Sequence, residues 1–251
     1  MEIVSYMGGY YYGYGFGIDP TIFLVLIGVV LCLLAQAKVK TTVGRYSRVY
    51  SASGLTGAMA AERMLRAAGI TDVAIRHVAG TLTDHYDPRS KTVNLSDGVY
   101  NSQSVAAVGI ACHECGHAIQ DARAYFPLTF RHSLVPVANF GSSISWPLIL
   151  FGVLAGGMRT TNSIGFLLIQ AGIFCFSLAV LFQMVTLPVE FNASRRAMQM
   201  IEQTGMLTVE ESRMTRKVLT AAALTYVAGA ASAVLQLLRL LILFGGGRRD
   251  D

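Results

Sequence analysis

The chain has 251 residues, of which 53% are hydrophobic and only 14% charged, against roughly 25% charged in an ordinary soluble domain. That deficit excludes a simple water-soluble globule and points to lipid. The formal net charge of +5 comes from basic residues that form no tight cluster and sit between long apolar runs, which argues against nucleic acid and for membrane orientation.

In chain order, the opening run Tyr10-Tyr11-Tyr12-Gly13-Tyr14-Gly15-Phe16 is low-complexity and aromatic. It suits an interfacial belt at the outer leaflet, or a disordered tail. Thr21 to Ala37 is uncharged and just long enough to cross roughly 30 Å of hydrocarbon as a helix. No basic segment precedes it and no clear cleavage site follows, so a retained anchor is expected. Thr56 to Ala68 has apolar positions at helical spacing, with Gly69 as its stop signal. Val73 to Val78 reads as a strand. Thr81 to Thr83 and Thr92 to Leu95 flank the turn-rich Asp84-His85-Tyr86-Asp87-Pro88-Arg89-Ser90, which predicts an antiparallel pair. A long helix from Gln103 to Ala124 completes an order of helix, short sheet, helix.

Leu134 to Gly157 and Ile164 to Val189 are two further uncharged stretches of spanning length. Val218 to Leu238 is uncharged too, but small and polar residues dilute it and Arg239 interrupts the apolar run that follows, so spanning and surface-lying helices both stay open. Thr225, Gly229 and Ala233 recur there at the four-residue spacing that lets helices approach closely in lipid. Residues 38–133 hold eleven of the twenty Lys and Arg residues and residues 188–217 hold five, whereas the loop between the second and third spans holds only Arg159. Positive charge concentrates in cytoplasmic loops, so both polar segments are expected on the cytosolic side. If the fourth stretch crossed, Arg248 and Arg249 would end up outside, which favours a surface or re-entrant helix there. The expected organisation is an aromatic tail and first span over 1–37, a cytosolic module over 38–133, a transmembrane hairpin over 134–189, and a final segment over 190–251 ending in a membrane-embedded or membrane-associated helix.

The expected long helix carries Ala111-Cys112-His113-Glu114-Cys115-Gly116-His117-Ala118-Ile119, which contains His-Glu-x-x-His. At 100° per residue the two histidines lie about 40° apart and one turn along, so both imidazoles can reach one metal ion. Glu114 projects from the flank of that face, where a carboxylate takes a proton from a water activated by zinc without ligating the metal. Cys112 and Cys115 point about 60° apart and roughly opposite to the histidines, so a four-residue site is excluded and small, buried, inert packing residues are expected. With Cys32 and Cys175 inside apolar runs, a disulfide framework is excluded as well. A catalytic zinc needs a third protein ligand and one open position. Glu190, acidic where a span emerges, is a candidate; taken alone it is better explained as an interfacial carboxylate paired with Arg195 or Arg196, and its place on the same expected cytosolic side as the histidines is what lifts it above that. His77, His85 and His132 are the alternatives.

The segments Leu82-Thr83-Asp84-His85-Tyr86-Asp87-Pro88, Leu95-Ser96, His113 to Gln120 and Leu187 to Ala197 resemble the neutral zinc metallopeptidases of the YugP type. More distantly they resemble the HtpX-like and CAAX-prenyl-protease membrane gluzincins. The closer resemblance covers most of the chain, and the HtpX-like relatives, whose third ligand is a Glu within a Glu-x-x-x-Asp pattern, imply Glu190 as the third ligand. Ser194 departs from that pattern: the relatives have the Asp that hydrogen-bonds a zinc-binding histidine, and a neutral hydroxyl orients the imidazole less strongly. The resemblance also implies that a strand beside the active helix adds extended substrate as an extra strand, with Thr92, Val93, Asn94 and Leu95 as the candidate. For stabilising the oxyanion or the surrounding shell, Tyr86, His85, Asn192 and Arg195 stay unranked.

The expected fold is therefore a mostly α membrane protein of three to four transmembrane helices with a small cytosolic α+β zincin-like module carrying the motif helix. The expected function is a multi-pass zinc endopeptidase of the plasma (inner) membrane, with one Zn2+ per chain and its active site facing the cytosol. Its substrates are expected to be membrane or membrane-proximal polypeptides. A second copy or an accessory membrane protein is left open as a partner, and nucleic acid is not expected. The rivals are a zinc-binding scaffold without catalysis, against which the intact Glu114 speaks, and a small transporter, which would place ionisable groups inside its spans.

Overall fold

The computed structural model describes residues 19–158 and 163–245; the aromatic run at 10–16, Arg159, Arg248 and Arg249 lie outside the described residues. Six helices and three short strands follow one another as α1 (Ile22–Tyr46), α2 (Gly57–Ala67), β1 (Ala74–His77), β2 (His85–Asp87), β3 (Thr92–Leu95), α3 (Val105–Ala122), α4 (Phe126–Leu154), α5 (Ile164–Thr204) and α6 (Val209–Phe244). Four of them, α1, α4, α5 and α6, are long and apolar enough to cross a membrane.

Local chemistry sets most of these boundaries. Thr56 and Ser104 cap α2 and α3, each hydroxyl accepting the free N–H of the third helical residue, Met59 and Ala107. Thr208 and Glu211 form a reciprocal capping box at the start of α6. The second oxygen of Glu211 accepts the Ala52 N–H at 2.6 Å, pinning the α1–α2 connection to α6. Gly205 closes α5 at φ 61, a conformation open to glycine at no steric cost.

Two expectations are corrected. The strand placed at Thr81 to Thr83 is a bend, because Leu82 sits at φ 56, and the strand pairing with Thr92–Leu95 is β2, inside the segment read as a turn. The true turn is tighter: Asp87 accepts from the Arg89 N–H and the Ser90 hydroxyl, and Lys91 at φ 51 completes the reversal. The third span and the ligand segment are one helix, since α5 runs unbroken from 164 to 204 through Pro188.

The sheet order is β1-β3-β2, parallel on one side of β3 and antiparallel on the other. It packs with α2 against α3 around Met64, Val93, Leu95, Cys112, Cys115, Ile201 and Met206, all within one buried core. The membrane-length helices approach through small residues: a Cβ at Gly152 of α4 would lie 2.6 Å from the Gly165 carbonyl oxygen of α5, and one at Gly172 would lie 2.8 Å from that of Ser145. The two backbones are in contact, as small residues permit in lipid. α6 lies antiparallel along α1, with Val218 packed beside Tyr46, Ser232 beside Gly28 and Arg239 paired with Asp19 at 3.6 Å. Its far end also meets the start of α5, where the Gln170 side chain donates to the Phe244 carbonyl. This course along α1, with its length and apolarity, makes α6 a candidate span like α1, α4 and α5.

Candidate metal centre

The motif histidines stand on α3 with ring centroids 4.8 Å apart and planes at 87°, as the one-turn spacing requires. Glu190 reaches them from α5. Its Oε2 lies 3.3 Å from His113 Nε2 and 3.6 Å from His117 Nε2. Ligands bonded tetrahedrally at about 2.0–2.1 Å stand about 3.3 Å from one another, so the spacing is that of donors around one small ion. Among the described residues, His113, His117 and Glu190 form the one group of three whose donor atoms gather within 4.8 Å. Two imidazoles and one carboxylate are a donor set suited to catalytic zinc. His77, His85 and His132 do not join it: His77 Nε2 bonds Asp97 and His85 bonds the Thr83 carbonyl.

The close approach of α5 depends on Gly116, inside the motif. A Cβ there would come within 2.5 Å of the Ala193 carbonyl oxygen, so any larger residue forces α5 away from the imidazoles.

The surrounding shell differs for the two histidines. With Nε2 turned to the metal, Nδ1 carries the proton and donates. His113 Nδ1 lies 3.1 Å from Ser194 Oγ. His117 Nδ1 lies 3.0 Å from Gln120 Oε1. The Gln120 amide in turn donates to the Val189 carbonyl at 2.8 Å and to Asn192 Oδ1 at 3.1 Å, and that oxygen also accepts from Arg196 Nε at 2.7 Å. Arg196 rests against the Tyr125 ring. A chain of neutral groups, ending in one guanidinium, therefore fixes the His117 tautomer.

Glu114 is not one of the three gathered donors. It is buried, and its Oε2 accepts the Tyr86 backbone N–H at 3.1 Å, which aims the carboxylate along the rim of the metal group. Glu190 uses its other oxygen on Arg131, whose Nη1 is 3.5 Å away, while the guanidinium lies over the Phe182 ring.

The remaining sequence candidates fall in different places. Thr92, Val93, Asn94 and Leu95 form the central strand, buried and paired on both sides, so their main chain has no free edge to offer. The free edge near Glu114 belongs to β2. The Tyr86 hydroxyl donates to Asp121 at 2.8 Å; burial first and that carboxylate second hold it protonated well above the usual tyrosine range. His85 and Asn94 bond each other, Asn192 is engaged by Gln120 and Arg196, and Arg195 is exposed. Cys112 and Cys115 are fully buried, and burial pushes the Cys112 thiol up to about 12.

Three residues at the site escaped the sequence reading. Gln120 follows His117 by one turn, a spacing that marks a helical neighbour. Arg131 is a charge at the entry of a long apolar helix. Tyr226 lines the cavity over His113, Glu114 and Glu190 from α6 and interacts with both carboxylates; nothing in its local sequence signals this.

Residues 21–245 match the family model described as "Putative neutral zinc metallopeptidase". The chain is 45% identical over 230 residues to the "Putative membrane protease YugP" of Bacillus subtilis (strain 168), covering 92% of this chain and 99% of that protein. No solved structure matches.

Proposed function

Because this chain belongs to the neutral zinc metallopeptidase family, we propose that it is an integral-membrane zinc endopeptidase that cuts membrane or membrane-proximal polypeptides at the plasma membrane, with its site facing the cytosol. One observation carries the reading: a single carboxylate oxygen of Glu190 within 3.3 and 3.6 Å of both motif imidazoles. The cytosolic side is supported by sixteen of the twenty basic residues lying in 38–133 and 188–217. In this reading residues 38–133 are the catalytic module, 134–189 a membrane hairpin, and 190–251 the ligand segment with the last span; residues 1–37 are the tail and anchor.

When bound, zinc polarises the scissile carbonyl and makes the attacking water more acidic. His113, His117 and Glu190 would hold it, with Ser194 and Gln120 orienting the two rings. Glu114 takes the proton from the water and returns it to the leaving nitrogen. Its hydrogen bond from the Tyr86 N–H keeps it on the flank, unavailable as a fourth ligand. The free edge of β2, rather than β3, aligns the substrate main chain beside Glu114. The Tyr226 hydroxyl, which bonds Glu190 beside the cavity, is the donor assigned to the developing oxyanion, since it can turn from that carboxylate to the substrate carbonyl.

The test compares wild type with Glu114→Gln for cleavage of an unfolded polypeptide in detergent, with bound zinc measured in each. The expected result is zinc in both proteins and cleavage in wild type alone. Undiminished cleavage by Glu114→Gln overturns the mechanism, and zinc without cleavage in either protein favours a non-catalytic scaffold.

A further inference from the structure

The cavity that opens onto the metal group has a polar floor and apolar walls. Its volume is about 140 Å³, with His113, Glu114 and Glu190 at one end. The walls converge from three helices: Val39 and Val43 from α1, Ile110 from α3 one turn before His113, and Ala222 and Ala223 from α6. None of these five side chains carries a polar atom. The two alanines matter most, because larger residues at those positions of α6 would fill the space beside the metal helix.

Size and chemistry together specify an occupant. An aliphatic-walled cavity of roughly 150 Å³ admits benzene, so this recess has room for one large apolar side chain. A charged side chain would lose its hydration there without a counter-charge from the walls. An acidic one would also face Glu114, Glu190 and Asp84. A basic one gains little, because each nearby carboxylate already has partners: Glu114 the Tyr86 N–H, Glu190 both imidazoles and Arg131, and Asp84 the Ser96 N–H at 2.8 Å and hydroxyl at 2.9 Å.

Resting on the peptidase reading, we propose that this recess is a specificity subsite that takes a large apolar or aromatic residue flanking the scissile bond. The substrates it selects are polypeptides cut beside Phe, Leu or Met, and residues of Ala or Gly size leave it unfilled. Its walls are the module-side ends of two membrane-length helices, so a segment emerging from the bilayer with such a residue exposed meets a surface of its own polarity.

The test has two arms. Cleavage sites on unfolded casein are mapped by mass spectrometry, and rates are measured on peptides that differ only in Phe, Ala or Lys at the preferred flank. The zinc-loaded wild type is expected to favour Phe over Ala by at least tenfold, since a single methylene in an apolar pocket is worth about 10–200-fold. Ala222→Phe should shrink that ratio by at least about tenfold. In the second arm, binding of the same peptides is measured to the zinc-loaded Glu114→Gln protein, which keeps the five apolar wall residues and needs no turnover. Equal rates or equal binding for the three peptides, or a preference for Lys, overturns the subsite. Phe-selective binding by a wild type that never cleaves overturns the peptidase reading and leaves the subsite standing.

Discussion

At the scale of single residues, the orienting of His117 by an uncharged amide invites a direct measurement. Gln120 is fully buried, and its loss strips the imidazole of its acceptor while leaving the Val189 carbonyl and Asn192 short of a donor. Gln120→Leu should lower zinc affinity about 10–100-fold, read by competition with a chromophoric chelator while far-UV circular dichroism stays unchanged. An unaltered affinity would show that the tautomer of His117 is fixed by something else. Tyr226→Phe probes a different step. A donor used as the carbonyl oxygen gains charge should cost about 10²–10³-fold in kcat and leave KM alone; a rise in KM with unchanged kcat would make Tyr226 a binding residue, and a loss of bound zinc would make it a support for Glu190, which it bonds.

At the scale of elements, the hairpin that carries Tyr86 is tied to α3 by Asp121. Its carboxylate accepts from the Tyr86 hydroxyl at 2.8 Å and from Lys91 Nζ at 2.6 Å. Burial alone would raise its pKa, but the Lys91 ammonium and the Tyr86 hydroxyl more than offset this and hold it below the usual carboxylate value of 3.8. A lowered native pKa means that the stabilisation is complete at neutral pH and disappears as pH falls through the native value. Asp121→Asn should therefore cost about 1–3 kcal/mol at pH 7, with the difference in Tm closing below about pH 4. A gap that stays constant across that range would mean that charge plays no part in holding the hairpin.

At the scale of the whole molecule, the four long helices make a definite topological claim. The antiparallel course of α6 along α1 and the Arg239–Asp19 pair bring residues 19 and 239 to one end. Val218 and Tyr46, beside the buried Ala106 of the module helix, mark the other. Reporter fusions truncated after Gly156 and after Gly245 should report one side of the membrane, and a fusion after Gly205 the other. A fusion after Gly245 that reports the same side as Gly205 would return α6 to the membrane surface.

How much of this was legible beforehand depends on the range of the interactions. The motif helix, the four apolar runs and the membrane setting follow from periodicity, spacing and composition, each decided within a few turns of chain. His113, Glu114 and His117 belong with them, because one helical turn dictates their relative placement. The length of α5 was not legible because the apolar run ends near Val189, while the helix continues through polar residues to Thr204. The central place of β3 was invisible because strand order is decided by which edges find partners, and the free edge passed to β2. Gln120, Arg131 and Tyr226 reach the metal group from three helices brought together by packing. The carboxylate of Glu190 meets the imidazoles only because Gly116 lets one backbone lie against another. Sequence alone therefore determined that this is a membrane protein with a zinc motif on one helix. Tertiary structure decided what completes and surrounds the site, since contacts between elements distant in the chain leave no local period to read.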